Sequence, residues 1–240
     1  MKNYWWIVII VVLGIILYSR QTPISLPDTE TPIWLEEYSK TLTPGMSHYL
    51  RETSLYDYSS PEIQEIVNKI KLESKSVEDA VKLTLDYVYF NVNYNWGESD
   101  SVCYSSSAST ILTKKSGQCD TMSRVNIAIL RGLGIAARPE GGCLAFDQSC
   151  IQTYSILGLR KPVIQKIVET NGIASRQGGL HAWLEVYIPS KGGWVDAEST
   201  SGTLIDEDDC LLFVHELYPV NVIEECVSTD ISFINMCKKL

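Results

Sequence analysis

The chain has 240 residues, of which 45% are hydrophobic and 20% charged; these are globular values that exclude wholesale disorder. A chain this long buries on the order of 70% of its unfolded surface, so folding requires neither a metal nor a disulfide. A net charge of −9 argues against nucleic acid as the main partner, and three histidines leave little material for a His-rich metal site.

From Asn3 to Ser19 the sequence carries no charge and is bracketed by Lys2 and Arg20. Such a stretch spans about 25 Å as a helix, the short end of a bilayer crossing. Tyr4, Trp5 and Trp6 at one end and Tyr18 at the other lie where interfacial aromatics belong. No small-x-small cleavage site follows, so residues 1–20 read as an uncleaved transmembrane anchor, a cleaved signal peptide being the alternative. Either reading places the rest of the chain outside the cytoplasm. That remainder holds 18 basic against 29 acidic residues, net −11, and anionic lipid would repel it. The apolar helix alone is then expected to hold the protein at the membrane.

Residues 21–60 contain Pro23, Pro27, Pro32 and Pro44 among Thr and Ser, and read as an extended tether with at most one helical piece near Trp34 to Lys40. Ser60 followed by Pro61 opens a helix bearing Ile63, Ile66, Val67 and Ile70, with Ser60 as its cap. Ser76, with Glu78 and Asp79 in the first turn, opens a second that runs to about Phe90. Ser99 to Ser109 is a polar loop, followed by a short helical turn at Ile111 and Leu112.

A third helix begins at Cys119, with Met122, Val125, Ile129 and Leu133 on one face and Gly132 and Gly134 to end it. Ile135 to Arg138 predicts a strand entering a Gly141-Gly142 turn. Residues 143–178 read as irregular apart from an amphipathic helix at 163–169. From Leu180 to Ile188 the period becomes two. A turn at Pro189 to Gly193 and a second alternating run from Trp194 to Ser199 complete a β-hairpin, and Leu211 to Val214 gives a further strand.

Seven cysteines outside the cytosol suggest three bridges and one free thiol. Cys103, Cys143, Cys150, Cys210, Cys226 and Cys237 are the bridge candidates. Cys143–Cys150 and Cys226–Cys237 close the shortest loops and are the first pairs to test.

Cys119 stands apart because it opens a helix. Free N–H groups and the helix dipole favour thiolate there, and the same amides are candidates for an oxyanion hole. On its alternating strand His181 shares one face with Trp183, Glu185 and Tyr187, while Ala182, Leu184, Val186 and Ile188 form the other, apolar one. A histidine on the polar face can act as general base toward a thiol. His48 and His215 read as packing or solvated residues. Across the hairpin, Asp196 and Glu198 face one side and could orient the imidazole.

These residues resemble the transglutaminase-like family. Lys115-Ser116-Gly117-Gln118-Cys119-Asp120 through Arg131-Gly132-Leu133-Gly134-Ile135-Ala136-Ala137-Arg138 is similar to the family's nucleophile region, and the run from His181 to Thr200 to its second signature. The motifs cover residues 80–202. The resemblance implies an α+β, papain-like core in which a nucleophile helix packs on an antiparallel sheet carrying histidine and acid. The expected organisation is an anchor at 1–20, a tether at 21–60 and a transglutaminase-like domain at 61–240.

The implied chemistry is attack by Cys119, assisted by His181, on an amide carbonyl of a protein or peptide substrate. A thioester acyl-enzyme then passes to water or to an amine. No cofactor or metal is expected, since neither zinc-ligand spacing nor a calcium loop occurs. Some family members lack the triad and only bind, so an inactive module on a membrane tether is the alternative; a structural ectodomain with Cys119 as a half-cystine is another. The family's acid falls four residues after the tryptophan of its gW element, which here is Glu198, whereas Asp196 falls two after Trp194. The two stand about 6–7 Å apart along the strand, so only one can meet the imidazole. Glu198 is the first candidate and Asp196 the alternative.

Overall fold

The computed structural model describes residues 31–95, 106–146, 179–205 and 211–214. The expected membrane segment, the helix at 163–169, His215 and the cysteines at 103, 150, 210, 226 and 237 lie outside these residues, and with them both candidate disulfide pairs. Among the described residues no helix is long and apolar enough to cross a membrane.

Helices α1 (Ile33–Ser39), α2 (Pro61–Glu73), α3 (Val77–Asn91), α4 (Ala108–Lys114) and α5 (Cys119–Gly132) are joined by strands β1 (Asn93–Tyr94) and β2 (Ser116–Gly117). Strands β3 (Ala137–Phe146), β4 (Gly179–Ile188), β5 (Gly193–Glu198), β6 (Thr203–Leu204) and β7 (Leu211–Val214) form an antiparallel sheet in the order β6-β5-β4-β3-β7.

Helix α2 buries Ile63, Ile66, Val67 and Ile70, and α3 buries Val81, Leu85 and Val88, as their spacing predicts. Each such side chain contributes about 1.5–3 kcal/mol on burial. The Ser76 hydroxyl accepts from the Asp79 amide at 3.1 Å, and Asp79 accepts in return from the Lys75 amide at 2.9 Å, a reciprocal cap on α3. Ser60 occupies the corresponding position of α2 but caps nothing; its Oγ is buried without a hydrogen-bond partner. Helix α4 is longer than the single turn expected and takes in Ser109, with the Ser107 hydroxyl accepting from the Thr110 amide.

The Cys119-bearing helix α5 departs most from its pattern. A single apolar face was expected, yet every residue from Thr121 to Arg131 is buried, because α2, α3 and α4 enclose it on one side and β3 and β4 on the other. Its two arginines are satisfied internally, whereas Asn126 Oδ1 and Asp120 Oδ2 are buried without a hydrogen-bond partner. Arg131 donates to the carbonyls of Ala137 (3.0 Å) and Arg51 (3.1 Å) and lies over the Tyr56 ring, while Arg124 donates to the Ser106 carbonyl at 2.7 Å.

Two further expectations are corrected. The segment 32–60 is no extended tether: besides α1 it forms a 3-10 helix (Pro44–Leu50), and Tyr38 and Tyr56 are core residues. The Tyr38 hydroxyl accepts from the Ala136 amide at 2.9 Å, fixing this segment to the start of β3. The Gly141-Gly142 turn does not form either. Strand β3 runs straight through both glycines, which sit in ladder register opposite Ala182 and His181 and are held in the sheet interior by pairing rather than by propensity.

Candidate active site

Cys119 is the first residue of α5, and the backbone before it is fixed on three sides. Strand β1 pairs in parallel with β2, placing Tyr94 opposite Gly117, and the Asn95 amide donates to the Gly117 carbonyl at 2.9 Å. The Thr121 hydroxyl accepts from the Gln118 amide at 2.7 Å. A Cβ on Gly117 would lie 2.5 Å from that hydroxyl, so a side chain at 117 would displace the cap directly beside Cys119. Glycine is required here for close approach rather than for a left-handed turn. The Cys119 thiol is free and half-buried, so it is no half-cystine.

His181 lies on β4 and is buried. Nε2 of its ring hydrogen-bonds Glu198 Oε2, and Cys119 is its other hydrogen-bond partner, leaving Nδ1 for the sulfur. Glu198 is fully buried at the end of β5. Its Oε1 accepts from both the amide and the hydroxyl of Thr200, each at 2.8 Å, which turns the longer glutamate arm back toward its own chain. Ser199, between them, is stapled to α5: its hydroxyl meets Ser123 Oγ at 3.0 Å and accepts from Asn126 Nδ2 at 3.0 Å. The acid-bearing strand end and the thiol-bearing helix are thereby held in one frame.

The electrostatics favour a charged imidazole. Burial opposes the charge, but the Glu198 carboxylate and the Cys119 sulfur outweigh it and push His181 up to about 10. Tyr94 hydrogen-bonds the same sulfur. Burial, then Cys119, Glu198 and Asp120, hold its phenol far above the usual range, so it stays a neutral donor. Burial likewise raises Asp120 above the ordinary carboxylate range, with Arg124 pulling the other way.

Asp196 does not reach the imidazole. Its Oδ1 accepts from the Trp183 indole Nε1–H at 2.7 Å. The register explains the division: Leu184 pairs with Ala197 and Glu185 with Asp196, so Asp196 is level with a residue four positions from His181, about 13 Å along the strand. Beyond it, Arg138 pairs with Glu185 at 2.5 Å and Glu140 at 3.6 Å, between the rings of Tyr49 and Trp194. The face that the alternation marked as polar is thus largely buried; His181, Trp183, Glu140 and Glu185 are all enclosed.

Tyr94, Trp183, Thr200 and the Ser123–Asn126–Ser199 staple were not anticipated as site residues. Thr200 carries a local signal, a hydroxyl and amide two residues beyond an acid; Tyr94 carries none, since only the β1–β2 pairing brings it to Cys119. His48 sits in the 3-10 helix beside Arg51 and Tyr49, away from these groups. Among the described residues no cluster of three or more His, Cys, Asp or Glu could hold a metal ion.

Residues 64–199 match the family model of the transglutaminase-like superfamily. Among curated proteins none matches the sequence. Among solved structures, a candidate cysteine protease from Cytophaga hutchinsonii superposes with a TM-score of 0.51 at 21% identity, over 74% of this chain and 48% of that one. The periplasmic domain of TgpA from Pseudomonas aeruginosa gives 0.45 at 16% identity, over 68% and 49%. Red sea bream transglutaminase gives 0.32 at 15% identity, over 64% and 25%. The chain thus spans about half the length of the first two structures, and the first of them shares its fold.

Proposed function

The chain belongs to the transglutaminase-like superfamily, and from this premise we propose that it is a cysteine-dependent enzyme acting on amide bonds of proteins or peptides. Cys119 is the nucleophile, His181 its proton partner and Glu198 the acid that orients the ring. The observation that carries this reading is the hydrogen-bonded run from the Cys119 thiol through His181 to a fully buried Glu198.

In the resting site the imidazole holds a proton, which favours thiolate at Sγ. The thiolate adds to the substrate carbonyl carbon, and the carbonyl electron pair moves to oxygen. Amides at the start of α5 and the Tyr94 phenol, which lies beside the sulfur, are the candidate donors for that oxyanion. As the C–N bond breaks, the imidazolium gives its proton to the departing nitrogen and a thioester remains. Water or a primary amine then adds to the thioester carbonyl, His181 takes its proton, and the acid or the new amide leaves as Sγ departs. Throughout, Glu198 accepts a hydrogen bond from Nε2–H and stabilises the charged ring.

The test is incubation of the full-length protein with glutamine-containing peptides, with and without a primary amine, read by mass. Ammonia release with a peptide acid as product indicates hydrolysis; amine incorporation indicates acyl transfer. Cys119→Ala should abolish either product while the circular dichroism spectrum and melting temperature stay close to those of the parent. Full turnover by Cys119→Ala would remove the thiol mechanism.

The reading extends to location. Residues 1–20 anchor the chain in a membrane as a single span, with the enzyme domain on the extracytoplasmic side; the uncharged run from Asn3 to Ser19 supports this. Fractionation should recover the protein with membranes, and protease added to intact cells should cleave the domain. A mature amino terminus beyond Ser19 would replace the anchor with a cleaved signal.

A further inference from the structure

We propose that Asp196 is a positioning residue for His181, acting through the Trp183 indole. The proposal rests on the Cys119–His181 reading above.

Its basis is a diagonal contact that the β4–β5 ladder makes twice. Leu184 pairs with Ala197, so one step further Trp183 is level with Glu198, and His181 lies two residues beyond that. The His181 ring reaches back to Glu198 and the Trp183 indole reaches back to Asp196, each across the same offset of two residues. Both contacts run from a ring N–H on β4 to a carboxylate on β5. The pairs His181-x-Trp183 and Asp196-x-Glu198 are therefore one geometric device used in tandem.

The second pair serves the first because the two rings lie side by side. Residues i and i+2 share a strand face, and the His181 and Trp183 planes are 15° apart with centroids separated by 6.4 Å. The imidazole's hydrogen bonds to Glu198 and Cys119 resist its tilting less than a packed neighbour does, and such a tilt would move Nδ1 off the thiol. A near-parallel indole alongside opposes the tilt, but only while its own plane is fixed. Trp183 is fully buried, and the 2.7 Å bond to Asp196 Oδ1 fixes the indole edge.

A role confined to satisfying a buried indole N–H predicts lower stability and nothing else. The deciding readout is the pH profile of iodoacetamide alkylation at Cys119, followed by peptide mass so that other thiols do not contribute, together with kcat, KM and melting temperature. Asp196→Ala and Trp183→Phe, approaching the contact from its two sides, should each raise the alkylation midpoint by about one pH unit. Each should lower kcat about tenfold with KM little changed, since a misaligned ring costs rate rather than binding. The double variant should be no worse than either single one. Asp196→Asn keeps an acceptor for the indole and should restore the parental profile.

Parental alkylation profiles in both Asp196→Ala and Trp183→Phe, whatever their melting temperatures, would overturn the positioning role alone. An unchanged profile in His181→Ala would overturn the Cys–His reading and this proposal with it.

Discussion

The face of the sheet that carries the site has two ends, and the same residue types do different work at each. At the His181 end a single carboxylate, Glu198, meets an imidazole and a threonine and is wholly enclosed. At the other end Glu140 and Glu185 pair with one guanidinium, Arg138, which Tyr49 and Trp194 cover, and Asp196 adds a third carboxylate that acts on Glu140. One acid per base gives a fixed hydrogen-bonded pair. Burial, with three acids to one base, raises Glu140, so that end favours a retained proton. Residue type therefore fixes neither role; ladder register does, by deciding which carboxylate lies within reach of which ring.

The largest effect that separates the two ends comes from neutralising one acid in each. Glu198→Gln should lower kcat by about 10³–10⁴-fold, because an amide at that position can favour the wrong imidazole tautomer and cannot stabilise imidazolium. Asp196→Asn, two residues away on the same strand face, should stay within about threefold of the parent, since its amide oxygen still accepts from Trp183. The same rate assay on both variants checks this. A steep loss in Asp196→Asn with a mild one in Glu198→Gln would reverse the assignment of the acid.

A smaller effect is expected from Gly117→Ala. The new methyl would meet Thr121 Oγ1 at 2.5 Å, and relieving that contact shifts the hydroxyl that holds the Gln118 amide. The expected cost is about 1–3 kcal/mol of stability and up to about a hundredfold in kcat, because Cys119 moves with the cap while His181 and Glu198 do not. Denaturant unfolding and steady-state kinetics measure the two parts. Lost stability with parental kcat would mean the cap does not position the thiol.

How much of this the sequence discloses follows from the range of the interactions. The Cys119 helix start and the alternation around His181 are local patterns, and so were readable. Hydrophobic periodicity could not separate Glu198 from Asp196; the family spacing favoured Glu198, and the ladder register shows why it is the one that reaches the imidazole. The packing of 32–60 was hidden because proline and threonine dominate its composition, while Tyr38 and Tyr56, which bind it to the domain, are isolated in sequence. The enclosure of β4's polar face was not legible for a similar reason: alternation reports which side chains share a side, not whether another element covers it. The 3-10 helix that brings Tyr49 over Arg138 is such a cover, and nothing in residues 180–188 announces it.

The smallest predicted effect sets the two ends against each other by pH. Burial first, then Glu185 and Asp196, push Glu140 up to about 7, while Arg138 pulls the other way. The folded protein therefore keeps a proton there that the unfolded chain, with an ordinary value of 4.5, gives up earlier. Where the native state binds more protons, stability falls as pH rises, so this end loses its contribution between about 4.5 and 7. His181 behaves alike in sign but in a higher window. Despite burial, which opposes its charge, Glu198 and Cys119 raise it to about 10, so its contribution is present below the unfolded value of 6.5 and is lost as pH rises from there toward 10. Glu140→Gln, which cannot titrate and offers Glu185 an amide donor, should flatten the melting-temperature profile between about pH 5 and pH 7 and leave the decline above it in place. Melting curves of parent and variant across this range measure the difference. A parental slope in Glu140→Gln would mean that the three-acid end titrates through another carboxylate, and a variant that flattened the upper window instead would mean that the two ends are not independent.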